Sequence, residues 1–118
     1  MMSGARSYHA GVAAEEQVAG HYGRSGREVC ARRWRGARGE IDIVARDGDS
    51  VIFIEVKQSR THAEAAEHLT RRQMDRIYGA AEEFLAGEPR GLMTDARFDV
   101  ALVDAMGRIE ILENAFAA

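Results

Sequence analysis

Apolar residues recur at helical spacing most clearly where Met74, Ile77, Tyr78, Ala81, Phe84 and Leu85 form one stripe. The start of that helix is marked too. Thr70-Arg71-Arg72-Gln73 fits a capping box, with Thr70 as N-cap and Gln73 reaching back to it. Gly87 and then Pro89 close the segment. A second helix is predicted over residues 11–22, where Val12, Glu15 or Glu16, Ala19 and Tyr22 share the helical period before Gly23 and Gly26. Between the two helices the pattern shortens to that of strands. Residues 28–34, 40–46 and 51–57 read as three strands, joined by turns at 36–39 and at Asp47-Gly48-Asp49-Ser50. The polar stretch 58–69 reads as a loop followed by a short helix. A closing hairpin is expected from strands 97–103 and 108–112 around Asp104-Ala105-Met106-Gly107, with the tail packing through Phe116. The order α-β-β-β-α-β-β predicts an α/β domain, a central mixed sheet flanked by helices.

Side chains alternate faces along a strand, so Glu55 and Lys57 share a face with Val51 and Phe53, while Ile52, Ile54 and Val56 take the other. On the preceding strand Glu40, Asp42 and Val44 share a face, with Ile41 and Ile43 opposite. A two-residue turn at Gly48-Asp49 sets Asp42 opposite Glu55; one at Asp47-Gly48 sets Glu40 there instead. In both registers Glu40, Asp42, Glu55 and Lys57 face the same way. Carboxylates ~5 Å apart on a sheet repel each other. A divalent cation between them relieves this, and Mg²⁺ is commonly held by one or two carboxylates plus phosphate oxygens. Bound so, it polarises a phosphate and activates a water, and a lysine on the same face stabilises developing negative charge. An acid-x-lysine triplet is by itself common on surface strands. Here it lies in an apolar strand, where charged residues are unexpected.

Composition sharpens this reading. Lys57 is the single lysine among sixteen basic residues, the rest being arginine. A compact ammonium with an adjustable pKa differs chemically from a planar guanidinium, so a chemical role for Lys57 is favoured over a surface charge. The 118 residues suit one domain (1–118, core about 11–113), with 46% hydrophobic and 30% charged residues as in a soluble globular chain. No apolar run approaches the ~20 residues of a membrane span. No apolar h-region follows Met1, so no secretory signal is expected, and a cytoplasmic location is. The lone Cys30 excludes an internal disulfide or multi-cysteine metal site, and is expected to be a small buried residue. His9, His21, His62 and His68 show no metal-ligand spacing. The net charge of −3 argues against indiscriminate nucleic-acid binding, yet residues 24–38 hold six arginines against one acid. That stretch is either a phosphate-contacting surface or a solvated arginine-rich face.

Three blocks are recognisable: Gly39-Glu40-Ile41-Asp42-Ile43-Val44-Ala45, Phe53-Ile54-Glu55-Val56-Lys57 and Arg97-Phe98-Asp99-Val100. They resemble the hallmark blocks of the YraN family of small uncharacterised bacterial proteins. Ala14-Glu15-Glu16, Ala31-Arg32-Arg33-Trp34-Arg35 and the helix from Gln73 to Leu85 match as well, so the similarity spans roughly residues 11–116. That family is similar to the restriction-endonuclease-like PD-(D/E)XK nuclease superfamily, with archaeal Holliday-junction resolvases as near relatives. The resemblance implies a restriction-endonuclease-like fold and a nuclease that uses Mg²⁺ or Mn²⁺ on DNA, including branched or structured DNA. Residue by residue, Asp42 matches the first motif acid, and Glu55 and Lys57 the second acid and the lysine. Glu15 matches an N-terminal helix acid that completes the metal site. Gln73 lies where some relatives place a helix residue facing the site. Arg60 is the phosphate contact that the resemblance suggests, and Arg33, Arg35 and Arg38 are candidate phosphate contacts from the arginine-rich stretch. The chain departs from the superfamily pattern at Ile41, where proline is usual, and at Gln58-Ser59, which precedes Arg60. Relatives that make two cuts are often dimers, so a homodimer is an expected assembly. The alternative is a non-catalytic module on the same fold, binding nucleic acid or protein.

Overall fold

A computed structural model describes residues 4–116, and the predicted order of elements holds, with the short helix read within residues 58–69 present as an element of its own. Helix α1 (Gly4–Arg24) leads into strands β1 (Glu28–Arg35), β2 (Glu40–Asp47) and β3 (Ser50–Gln58). Two helices follow, α2 (His62–Glu67) and α3 (Arg71–Ala86). A 3-10 turn, Gly91–Met93, then leads to β4 (Ala96–Val103) and β5 (Ile109–Leu112). The short helix is α2, whose start is capped where the Thr61 side chain accepts the Glu64 amide at 3.1 Å. Ala65 is its buried residue. The capping box of α3 is complete: Thr70 Oγ1 accepts from Gln73 N at 3.1 Å, and Gln73 Oε1 accepts from Thr70 N at 3.2 Å.

The five strands lie in sequence order, β1-β2-β3-β4-β5. β1, β2 and β3 form an antiparallel meander, β4 pairs parallel to β3, and β5 returns antiparallel. The parallel pairing requires a crossover, which α2 and α3 supply. Helices cover both faces. Ala14, Val18 and Tyr22 of α1 pack on Ile43, Ala45, Ile52, Ile54, Ala101 and Val103. Ala80, Ala81 and Leu85 of α3 pack on Ile41, Val44, Val51 and Phe53, and Ile77 packs on Val100 and Leu102. An aromatic row runs under α3. Phe53 stacks on Phe98 with centroids 5.3 Å apart, and Phe98 stacks on Phe116 at the same distance. The expected anchoring of the tail by Phe116 is therefore present, reinforced by the Tyr78 hydroxyl donating to the Phe116 carbonyl.

Three local features position the site. The β2–β3 turn is Gly48-Asp49, closed by the Asp47–Ser50 pair, with φ +63° at Gly48. Positive φ at the first central residue only is the type II′ pattern, whose twist matches the strands. Next, the β1–β2 loop is fastened to α3. The amides of Ala37 and Arg38 donate to the Glu83 carboxylate at 3.0 and 3.1 Å. A Cβ on Gly39 would sit 2.9 Å from the Arg76 carbonyl oxygen, so the close approach requires glycine. Finally, strict alternation fails on β2. Ile41 joins the cluster under α3 while Ile43 joins the one under α1, so they do not share a face as expected. On β1, Arg33 takes a left-handed φ of +52° between the pairs Arg32–Ile43 and Trp34–Ile41, which sets it opposite Asp42. Such irregularities re-aim side chains near functional sites.

Cys30 is exposed, contrary to its expected burial. β1 is an edge strand with a register shift between Val29 and Ala31, and this leaves Cys30 outside the core. The Arg97-Phe98-Asp99 block serves packing. Asp99 is fully buried and accepts from Tyr22 Oη at 2.7 Å, Arg97 Nε at 3.0 Å and Asn114 N at 3.0 Å. Burial, then the Asp99 hydrogen bond, push the Tyr22 hydroxyl far above its ordinary pKa, so it stays a donor.

Candidate functional site

With the Gly48-Asp49 turn in place, the β2–β3 ladder runs from Asp47–Ser50 to Ile43–Ile54, and its next step sets Asp42 opposite Glu55. The ladder stops at Ile43–Ile54. Beyond it the Val56 amide donates to Asp42 Oδ2 at 2.8 Å, so a side-chain carboxylate does the work of a strand carbonyl. That bond fixes Asp42 beside Glu55. Glu55 and Lys57 lie on the α3 face of β3, flanked on β4 by their register partners Val100 and Leu102. They sit toward the carboxyl end of a strand with a parallel neighbour, the end at which open α/β sheets bind ligands.

Glu55 is held in an environment unfavourable to its charge. Its side chain is 12% exposed. Burial, then the hydrogen bond and negative charge of Asp42, push its carboxyl up to about 9, against the opposing pull of Lys57. Glu15 adds a smaller push in the same direction, which places its charge within reach of the pair. Lys57 Nζ stands 3.8 Å from Glu55 Oε2 and is itself only 15% exposed. The lone lysine is thus a half-buried partner of the acid pair. Asp42 and Glu55 line a cavity of about 220 Å³, with Glu40 at its rim and Gln73 and Arg76 facing them from α3. Larger clefts of about 370 and 460 Å³ surround the Arg46–Glu88 ion pair, where a carboxylate already has its cation. The acid pair, rather than cavity size, identifies the candidate site.

The other site residues read from the sequence are distributed around this centre. The Glu15 carboxylate, 13% exposed, accepts from Arg33 Nε at 2.9 Å. Among the described residues no group of three or more His, Cys, Asp or Glu side chains is gathered to hold a metal. The preformed carboxylate site is therefore the Asp42–Glu55 pair, with Glu15 beside it and tied to Arg33. Glu40 is bridged to Arg35 at 2.8 Å. Gln73 lines the cavity while its carbonyl serves the capping box, so the two expectations for it are compatible. The four arginines expected to contact phosphate all meet carboxylates: Arg33 with Glu15, Arg35 with Glu40, Arg38 with Glu82 at 3.0 Å and Arg60 with Glu64 at 2.5 Å. His21 is exposed on α1, and His62 caps the far hairpin through the Arg108 carbonyl at 2.9 Å.

Two contributors escape a reading of the sequence. Arg76 lines the cavity, and only its position three residues after Gln73 on one helix hints at this. Glu83 sets the β1–β2 loop against α3, and no local pattern marks it.

The sequence profile of a family described as "Uncharacterised protein family UPF0102" matches residues 14–103. A UPF0102 protein of Cereibacter sphaeroides is 73% identical over 117 residues, which cover 99% of this chain and 100% of that one. One from Ruegeria pomeroyi is 59% identical, covering 96% of this chain and 92% of its own. A UPF0102 protein of Dinoroseobacter shibae is 41% identical, covering 94% and 83%. No helix among the described residues is long and apolar enough to cross a membrane. With the profile matched over most of its length, and relatives aligned nearly end to end, the chain belongs to the uncharacterised protein family UPF0102, in keeping with the YraN resemblance of its motifs.

Proposed function

We propose that this protein is a Mg²⁺- or Mn²⁺-dependent, endonuclease-like hydrolase of DNA phosphodiesters, with branched or structured DNA among its substrates. The carrying observation is the pair Asp42–Glu55, with Lys57 3.8 Å from Glu55, half-buried together on one sheet face. The mixed sheet covered by helices on both faces supports a restriction-endonuclease-like fold as its setting.

The residues fit a hard divalent cation. Two carboxylates within hydrogen-bonding reach crowd negative charge until Glu55 retains a proton, and a cation there takes the proton's place. Asp42 and Glu55 would hold it, while Glu15 is tied to Arg33 and its charge is felt at Glu55. When bound, the ion supplies polarisation of a phosphoryl oxygen and acidification of water. The chain's own residues do the rest. The Val56 amide orients Asp42 through one oxygen and so holds its carboxylate beside Glu55 at the cavity. Lys57 keeps an ammonium beside Glu55, where it counters charge developing on an attacked phosphate. A guanidinium is wider and planar, so Lys57→Arg keeps the charge at this half-buried position but changes its shape.

Thermal melting with and without Mn²⁺, together with a cleavage assay on four-way-junction, flap and duplex DNA, tests the reading. Mn²⁺ should raise the melting temperature of the wild type, and Asp42→Asn should abolish the rise. Lys57→Ala and Lys57→Arg should both end cleavage. A melting shift unchanged in Asp42→Asn puts the metal elsewhere, and full activity in Lys57→Arg refutes the role of the lysine. DNA binding without turnover in either metal would make the protein a non-catalytic module.

A further inference from the structure

The acids form one wall of the cavity, and a phosphate backbone approaching them meets negative charge. A cation on the opposite wall is required to seat it. Of the arginines of β1 and the following loop, Arg33, Arg35 and Arg38 are engaged on Glu15, Glu40 and Glu82, while Arg32 on β1 is exposed and does not line the cavity. The first two turns of α3 differ. Arg76 lines the cavity opposite Asp42 and Glu55, and its side chain is exposed. Arg72, also exposed, lies one turn toward the helix N-terminus on the same side, about 6 Å along the axis. Among the described residues neither forms an ion pair, and Asp75, the acid of these turns, binds neither.

We propose that Arg72 and Arg76 form a ledge on α3 that holds neighbouring phosphates of one DNA strand over the Asp42–Glu55 cavity. The proposal rests on the phosphodiesterase reading in taking DNA as the ligand. Two guanidiniums one helical turn apart present forked donors suited to successive phosphate groups. The ledge is held at a fixed distance from the acids. Glu83 fastens the β1–β2 loop to α3, and Gly39 lies directly against the Arg76 backbone. Gln73, on the same cavity wall, has its amide nitrogen to offer a phosphate oxygen or sugar.

The test is fluorescence anisotropy of the full chain with labelled junction and duplex DNA, in Ca²⁺, across a salt series. The variants are Arg72→Gln/Arg76→Gln and, as a control for loss of charge alone, Arg90→Gln. Arg90 is an exposed arginine beyond the other end of α3, lining the cleft by Arg46 and Glu88. The double variant should weaken binding by tenfold or more at about 100 mM salt and reduce the salt slope by about 2, one for each lost phosphate contact. Arg90→Gln should change binding less than about threefold, and all variants should keep the wild-type melting temperature within a few degrees. Unchanged affinity and slope in the double variant, with cleavage still dependent on Asp42, overturns the ledge and leaves the phosphodiesterase reading standing. Lost binding in the double variant, when the wild type binds but never cuts, upholds the ledge and overturns the hydrolase. A wild type that binds no DNA overturns both.

Discussion

Glu55→Gln should make this protein more stable at neutral pH in the absence of divalent cations. In the unfolded chain Glu55 has its ordinary value of 4.5 and is ionised at pH 7, whereas in the fold its carboxyl is pushed up to about 9. Folding at pH 7 therefore takes up a proton that the unfolded side chain has released. A proton costs 1.36 kcal/mol for each pH unit above the unfolded value, which gives about 3 kcal/mol here. The sign follows from the raised folded value. The stability is present in full below about pH 4.5 and is lost as pH rises toward about 9. Glutamine keeps the shape and a donor for Asp42 but has no proton to lose. The glutamine amide does not reproduce the protonated carboxyl's hydrogen bond to Asp42 in full, so about 2 kcal/mol, or roughly 5–10 °C in melting temperature, is expected. The assay is a set of thermal melts from about pH 5 to about pH 9 in chelator, comparing wild type with Glu55→Gln. The two curves should converge at the acid end and diverge steadily toward the alkaline end, and Mn²⁺ should flatten the wild-type curve, since a cation stabilises the ionised pair. Parallel curves across the whole range would refute the idea that the buried acid pair holds a proton.

Two further substitutions test the frame that carries the site. Asp99→Ala should cost about 3 kcal/mol or more in urea denaturation, because it strands the Tyr22 hydroxyl, the Arg97 guanidinium and the Asn114 amide around a buried gap; a loss under 1 kcal/mol would show that the network carries little. Gly39→Ala should cost about 1–3 kcal/mol, since its Cβ meets the Arg76 carbonyl, whereas Gly79→Ala should cost less, because its two closest atoms belong to the movable Arg38 guanidinium and only the Arg38 Cβ at 3.0 Å is fixed; equal losses in the two variants would refute the distinction.

Much of the fold was legible because its signals are local. The capping box at Thr70 and the stripe from Met74 to Leu85 stand where their residues dictate, and the β2–β3 turn falls on Gly48-Asp49, one of the two positions the sequence leaves open. That Asp42 and Glu55 share a sheet face follows from strand parity under either turn, and the Gly48-Asp49 turn then sets them opposite each other. Helix α2 was harder to place because its buried residue is a single alanine, too little for an apolar period. Ile41 and Cys30 misled for one reason: alternation presumes a regular ladder, and β1 shifts register near Cys30 and takes a left-handed residue at Arg33. The arginines of residues 24–38 looked like a basic surface because sequence counts charges without their partners. The acids that neutralise Arg33 and Arg38 come from α1 and α3, eighteen and forty-four positions away. Arg76 was invisible for the converse reason, since nothing in one helix shows what lies across the cavity from it.

The bond from the Val56 amide to Asp42 has a consequence for how the site can be observed. An amide proton held by a carboxylate senses that carboxylate's charge directly, and its NMR frequency moves when a proton or cation arrives there. The Val56 resonance is therefore a built-in gauge of the acid pair, readable in the intact protein with no label at the site. The same bond makes asparagine, which retains an acceptor oxygen, the informative replacement at Asp42. Alanine would open the strand end and silence the gauge together, confounding loss of a ligand with loss of the sheet that presents it.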